Sequence, residues 1–253
     1  MRRQLLSIAA ELARLSGWTC FDSRLCSTAR NFFEESLRLA KDNGDMNFVA
    51  NILSSLSLQG TYEGRSPMNA VALARAGQDA CRQTATPRVM AMLSMREAFA
   101  HAALKDEASC RRTIDDAQRH LEEADDVPGD PPWVSYFTEL KLKIDTGIAL
   151  SKLGDVKTAT PILAQAVAEA ESTNARNLAF HSYWLAATLV ASGEIDQAGV
   201  TATETLEIAE NVESRRVLGH IGELHSMLAP HRTSTAVRDF HDRATTFLQE
   251  ADR

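Results

Sequence analysis

The chain has 253 residues, 44% of them apolar and 24% charged, a balance that supports a sizeable folded core and excludes a disordered polymer. Its net charge of −7 offers no general basic surface for counterion release, so no direct contact with nucleic acid is expected. No run of about 18 apolar residues marks a membrane span. The four cysteines, without a C-x-x-C pair, read as reduced thiols, buried or half-buried, rather than as a metal or disulfide site; the expected compartment is the cytoplasm.

From the N-terminus, "MRRQLLSIAAELARLSG" resembles a signal peptide only superficially, because Glu11 and Arg14 interrupt the apolar stretch. Leu5, Ile8, Leu12 and Leu15 instead predict an amphipathic helix. Helical stretches of roughly 14–18 residues then alternate with short breaks. The breaks are "KDNGD" at 41–45, "YEGRSP" at 62–67, "TATP" at 84–87, "LGD" at 153–155, "SGE" at 192–194 and "APH" at 229–231. Alternating runs of β-branched residues do not occur, so the fold class is all-α.

The pairing of helices repeats. Small residues that open the second helix of each pair fall at Ala29, Ala70, Cys110, Ala159, Ala198 and Ala236, with separations of 41, 40, 49, 39 and 38. Within the units the order small, large, small recurs as Ala29/Phe33/Ser36, Cys110/Ile114/Ala117 and Ala159/Leu163/Ala166, with weaker versions at Ala70/Ala74/Gly77 and Ala198/Ala202/Thr205. Twelve residues before the first position lie Gly17, Ala98, Gly147 and Ala186. Small residues there let antiparallel helices approach while the large one fills the groove between them. This is tetratricopeptide (TPR) packing logic, lengthened by about one helical turn. The expectation is a single domain over 1–253, a right-handed α-solenoid of about six TPR-like hairpins with a period of about 40 and an irregular extension near 125–132. A HEAT-like array is the alternative.

The strings "ELARLSGWTCFD", "ARNFFEESLRLAKDNGD", "TPRVMAMLSMREAFAHAAL", "ASCRRTIDDAQRHLE", "DPPWVSYF", "LGDVKTATPIL", "GEIDQA" and "LAPHRTSTAVRDFHDRA", in this order, resemble the C-terminal TPR region of actinobacterial XRE-type helix-turn-helix transcriptional regulators. The resemblance implies transcriptional control; in that family a helix-turn-helix DNA-binding domain precedes the repeats, whereas this sequence starts a few residues before the first repeat, as expected either for a sensor domain cut from a regulator or for a natural protein without its DNA reader. Arg24 and Lys105 stand where that family often has glycine in the turn within a pair.

No phosphate-binding glycine loop, H-E-x-x-H or G-x-S-x-G motif indicates a reaction, and no cofactor is expected. His220 and His225, five residues apart, align poorly for a metal on one helix. In a solenoid the first helices of the pairs face the concave groove. The register turns Trp18, Asn51, Met92, Met95, Phe99, Lys141, Phe180 and Tyr183 toward it, with Arg216 and His220 on the last first-type helix. The Met92/Met95/Phe99 stripe reads either as repeat core or as an adaptable binding surface.

In "DDVPGDPPWVSYF", a helix is expected to start near Pro131 or Pro132, capped by Asp130, with Trp133, Tyr136 and Phe137 on one side of its first turns. These rings either staple the helix to the preceding pair or line the groove entrance. The leading functional expectation is a non-enzymatic sensor that binds a small molecule or short peptide. Two alternatives are a scaffold for a partner protein and an enzyme derived from a regulator that acts on a natural-product intermediate through Tyr136, Tyr183, His181 and His220. A homodimer is compatible with each.

Overall fold

Segments rich in Ala, Leu, Glu and Arg form twelve α-helices and no strand among the described residues, so the chain is all-α as expected. The computed structural model describes residues 1–63, 66–124, 129–170 and 174–251. In chain order the helices are α1 (Arg2–Asp22), α2 (Cys26–Asn43), α3 (Met46–Glu63), α4 (Pro67–Cys81), α5 (Pro87–Ala103), α6 (Glu107–Glu122), α7 (Glu139–Leu153), α8 (Val156–Glu169), α9 (Ala175–Ser192), α10 (Ile195–Ala209), α11 (Arg215–Leu228) and α12 (Thr235–Ala251). Several starts carry a side-chain cap. Asp106, Asp155 and Asn174 each accept the backbone N–H three residues on, at 3.1, 3.2 and 3.1 Å, which satisfies a donor the helix itself leaves unpaired.

The chain divides into two compact units, Met1–Asp145 and Thr146–Arg253, and the division falls inside α7, not in the proline-rich segment before it. In the first unit α1 pairs with α2, α3 with α4 and α5 with α6, and successive pairs meet through α2/α3, α4/α5 and α3/α5. In the second, α9 packs on α8, α10 and α11, and α12 packs on α10 and α11.

The small/large/small register has a direct physical counterpart. A Cβ added at Gly17 would lie 2.6 Å from the Phe33 ring, and one at Gly147 would lie 2.6 Å from Leu163 Cγ. Phe33 and Leu163 have no exposed surface, and neither do Ala29, Cys110, Ala117, Ala159 and Ala166. Ser36, the third position of the first unit, donates its hydroxyl to the Ala10 carbonyl at 2.7 Å. Ala236 is half-buried, and it holds its helix so close to α10 that a Cβ at Gly199 would meet its backbone at 2.8 Å.

Arg24 and Lys105 adopt φ of 60° and 59°, while Gly154 and Gly193, in the corresponding turns, have φ of 104° and 83°. The left-handed turn is thus made without glycine at two positions, each at a cost of about 1–2 kcal/mol. The helix expected at Pro131 begins instead at Glu139. Pro132 forces Pro131 into an extended conformation (φ −60°, ψ 139°), and only a 3-10 turn, Pro132–Val134, follows. Asp130 caps nothing there; it accepts from Thr86 Oγ1 at 2.5 Å and Arg88 Nε at 2.6 Å. Residues 125–128 of the expected extension, and 64–65 of the expected break at 62–67, lie outside the described residues.

Glycine at the close contacts has a measurable role. Gly17→Ala and Gly147→Ala gain about 1 kcal/mol of helix propensity, yet overpacking against buried side chains costs about 1–3 kcal/mol, so both variants should unfold at lower urea concentration. Gly60, whose added Cβ would meet Ala70 at an ordinary 3.7 Å, should show the opposite sign in the same measurement when replaced by alanine.

Candidate functional site

In the first unit, most of the residues that the register turns toward a groove are packing. Met92 and Met95 have no exposed surface and Phe99 is 3% exposed, so the stripe is repeat core and not an open binding face. Trp18 is half-buried with its ring edge-on to Phe21 and Phe33, at centroid distances of 5.8 and 5.5 Å. Asn51 is buried too, and its Nδ2 has no hydrogen-bond partner.

The three rings of the proline segment have three different environments. Phe137 is fully buried, Trp133 packs against the Phe21/Phe33/Phe48 core, and Tyr136 is 46% exposed. They do not share a helical face, because α7 starts after them. Two arginines of α5 hold the segment: Arg88 Nη1 donates to the Phe137 carbonyl at 2.9 Å, and Arg96 Nη2 donates to Tyr136 Oη at 3.0 Å. Arg96 also pairs at 3.8 Å with Asp145, whose carboxylate accepts from Lys141. Arg96 and Asp145 are both buried, and Arg96 Nε and Asp145 Oδ2 lack hydrogen-bond partners, an arrangement that costs stability unless a further group or water completes it. These two were not anticipated; charged residues in the middle of otherwise buried helical faces were the available signal. Pro131, Pro132 and Trp133 also wall a hollow of about 590 Å³ against Glu11, Arg14 and Asn47.

In the second unit the expected residues converge. Tyr183 on α9 stacks on His220 of α11 with centroids 4.1 Å apart and planes at 23°. Phe180, one turn earlier, lies 5.5 Å from the His220 ring and carries the Arg216 guanidinium 4.4 Å above its own ring. Tyr183 Oη donates to Glu223 Oε2 at 2.6 Å, and His220 Nδ1 lies 3.4 Å from the same oxygen. A hollow of about 530 Å³ opens beside them, lined by Tyr183, Gly219, Gly222, Glu223, Ser226 and Met227. Both glycines face it from α11, where a side chain would fill the space.

Next to this cluster, Trp184 packs edge-on to Tyr183 and Phe180, at 5.4 and 6.4 Å, and Lys152 Nζ lies 5.2 Å from the Trp184 ring. Burial, reinforced by the nearby Arg216 charge, lowers the Lys152 ammonium to about 8. The Phe180 and Trp184 rings thus each carry a cation, Arg216 over the first and Lys152 over the second. Trp184 and Lys152 were missed because neither occupies a register position of the first-type helices as counted from the small anchors. His181 is buried with its ring 5.9 Å from Phe180.

His220 and His225 point to different neighbours. His220 joins Tyr183, whereas the His225 ring lies tilted against His241 of α12, with centroids 3.7 Å apart and planes at 38°. Among the described residues no group of three or more His, Cys, Asp or Glu side chains is placed to hold a metal ion. Cys81 and Cys110 are buried and Cys20 and Cys26 half-buried, all four as free thiols. Burial pushes the Cys81 and Cys110 thiols up to about 11, so neither is a ready nucleophile. Among the described residues no helix is long and apolar enough to cross a membrane.

These features define an all-helical protein of paired helices with an aromatic and charged cluster beside a hollow in its second unit. The chain has no significant match among protein-family models or curated proteins.

The His225/His241 pair makes stability depend on pH. Burial comes first among the causes that lower both imidazoles below their ordinary value; each also feels Arg232, and His225 feels His241. Arg232 Nη2 lies 2.6 Å from both ring nitrogens of His241, so its positive charge opposes protonation of that ring. The unfolded chain binds protons that the folded one refuses, so stability is full above the ordinary histidine range and falls as pH drops through it. Melting temperatures measured between pH about 8 and about 5 should fall, and His241→Phe should flatten that dependence.

Proposed function

We propose that the chain is a TPR-like ligand-sensing module of the kind carried by XRE-type transcriptional regulators, and that its second unit binds a small molecule or short peptide on the first-type helices α9 and α11. Support for the repeat reading comes from the close Gly17/Phe33 and Gly147/Leu163 contacts, the left-handed turns within pairs, and the packing of successive pairs on one another within each unit. The observation that carries the functional reading is the convergence of Phe180, Tyr183, Arg216 and His220 beside a hollow of about 530 Å³. Hollows of this size suit small ligands when aromatic walls combine with a few polar groups. Here Tyr183 supplies a flat face, Glu223 an acceptor and Ser226 a hydroxyl on the wall of the hollow, while His220, Phe180 and Arg216 back the Tyr183 ring. A ligand seated there contacts two successive repeats, so its binding free energy biases their mutual packing, which is the coupling a sensor needs.

A second reading is favoured by one specific observation. A phenol, a carboxylate and an imidazole meet at Glu223 Oε2 within 2.6 and 3.4 Å, a set able to relay a proton as general acid and base. In this reading the module has become an enzyme acting on a natural-product intermediate. Tyr183 carries both readings but through different atoms.

Screening peptides, nucleotides and metabolite extracts by thermal shift should find a ligand that raises the melting temperature; saturation at 100 times Kd corresponds to about 2.7 kcal/mol. Tyr183→Ala should abolish the shift and Tyr183→Phe should preserve it if the site only binds. If the site catalyses, Tyr183→Phe retains binding but loses turnover of the same compound. A shift unaltered by Tyr183→Ala and Arg216→Ala places the ligand elsewhere and overturns both readings.

A further inference from the structure

α1 carries an apolar stripe that the fold does not bury. Leu5, Ile8, Leu12 and Leu15 are 60%, 58%, 59% and 47% exposed, while other faces of the same helix give Ala10, Gly17 and Phe21 to the core. Single exposed leucines are ordinary on protein surfaces. Four of them at intervals of three, four and three residues form one continuous seam, the spacing by which helices interlock side chains across a two-helix contact. The stripe leaves on the order of 450 Å² of apolar side chain in water, the size of the largest patches on monomers, which are often functional.

We propose that this seam is the two-fold interface of a homodimer, in which α1 packs antiparallel against α1 of a second copy. The three-four-three spacing reads the same from either end. Reversing the helix therefore sets Leu5 against Leu15 and Ile8 against Leu12 of the second copy, and the surface is complementary to itself, as a two-fold contact requires. Two such stripes with their rims bury about 1,000 Å², the threshold for a specific interface. The flanks accept a second copy as well. Gln4, Ala9, Ser16 and Glu11 border the seam, and the only carboxylate among them is held by Arg14 through hydrogen bonds of 2.9 and 2.6 Å. No uncompensated like charges are opposed, and the small Ala9 and Ser16 on one border leave room for the second helix. A parallel pair is disfavoured because it stacks Ile8 on itself at a layer where two-stranded contacts prefer leucine.

Sedimentation equilibrium on the full chain tests this. At about 100 μM the protein should have twice the 27.7 kDa mass of one chain. Ile8→Glu and Leu12→Lys, at positions already in water, should each give a folded monomer with unchanged helical circular dichroism. Mixing these two variants should restore a dimer, because the antiparallel register sets the new glutamate against the new lysine. A native chain that is monomeric at this concentration overturns the proposal, and so does a dimer unaffected by either variant. Monomeric variants that fail to recombine overturn the antiparallel register. A monomer that instead co-sediments with phosphatidylglycerol vesicles through the same leucines assigns the seam to a lipid surface and overturns the dimer.

Discussion

The first and fourth helical pairs depend on one steric constraint: two antiparallel helices come close enough that a glycine on one faces a large buried side chain on the other. Phe33 against Gly17 and Leu163 against Gly147 are the clearest cases. Interiors pack at crystal-like density, so the space that glycine leaves is filled by the ring or the isobutyl group, and the depth of that insertion sets the separation of the pair. Serine and alanine at the third position keep the next turn close, as Ser36 does by reaching the Ala10 carbonyl. The same economy recurs between α10 and α12, where Gly199 faces backbone.

Close pairing has consequences for where polar chemistry is placed. Along α5 the face that packs on neighbouring helices is so completely covered that even Arg96, Glu97 and His101 are buried. Arg75 and Gln78 satisfy Glu97 from α4 at 2.8 and 3.0 Å, whereas Arg96 reaches forward to Tyr136 and Asp145. The proline segment is thus tied to α5 by charge-assisted hydrogen bonds while Phe137 anchors it in the core. In the second unit the polar groups are less enclosed. Tyr183 and Glu223 border open space, and Tyr183 and His220 share Glu223 Oε2 as a hydrogen-bond partner.

How far the site was legible follows from what each signal measures. Repeat register measures which face of a helix points at its neighbours, and Phe180, Tyr183, Arg216 and His220 lie together because they occupy such faces on successive first-type helices. It could not distinguish a face covered by the next pair from one left open, so Met92, Met95 and Phe99 satisfied the same count and proved to be core. Lys152 and Trp184 lie outside the register and become visible only when α7 and α9 are in contact. For the proline segment, local rules favoured a helix start at Pro131. The stronger pull was tertiary: Asp130 finds Thr86 and Arg88, and Val134 and Phe137 find the core.

By itself the sequence determined the all-helical class, the capped breaks between helices, the spacing of the small and large residues, and the amphipathic character of α1. All of these rest on interactions within a few residues or on a repeated local pattern. Tertiary structure alone decided which apolar faces meet water. The α1 stripe at Leu5, Ile8, Leu12 and Leu15 and the α5 stripe at Met92, Met95 and Phe99 are alike as patterns, yet one is exposed and the other sealed. The physical reason is that hydrophobic periodicity gives a helix a sticky face without specifying its partner. Burial depends on whether another element of the chain is positioned to cover that face.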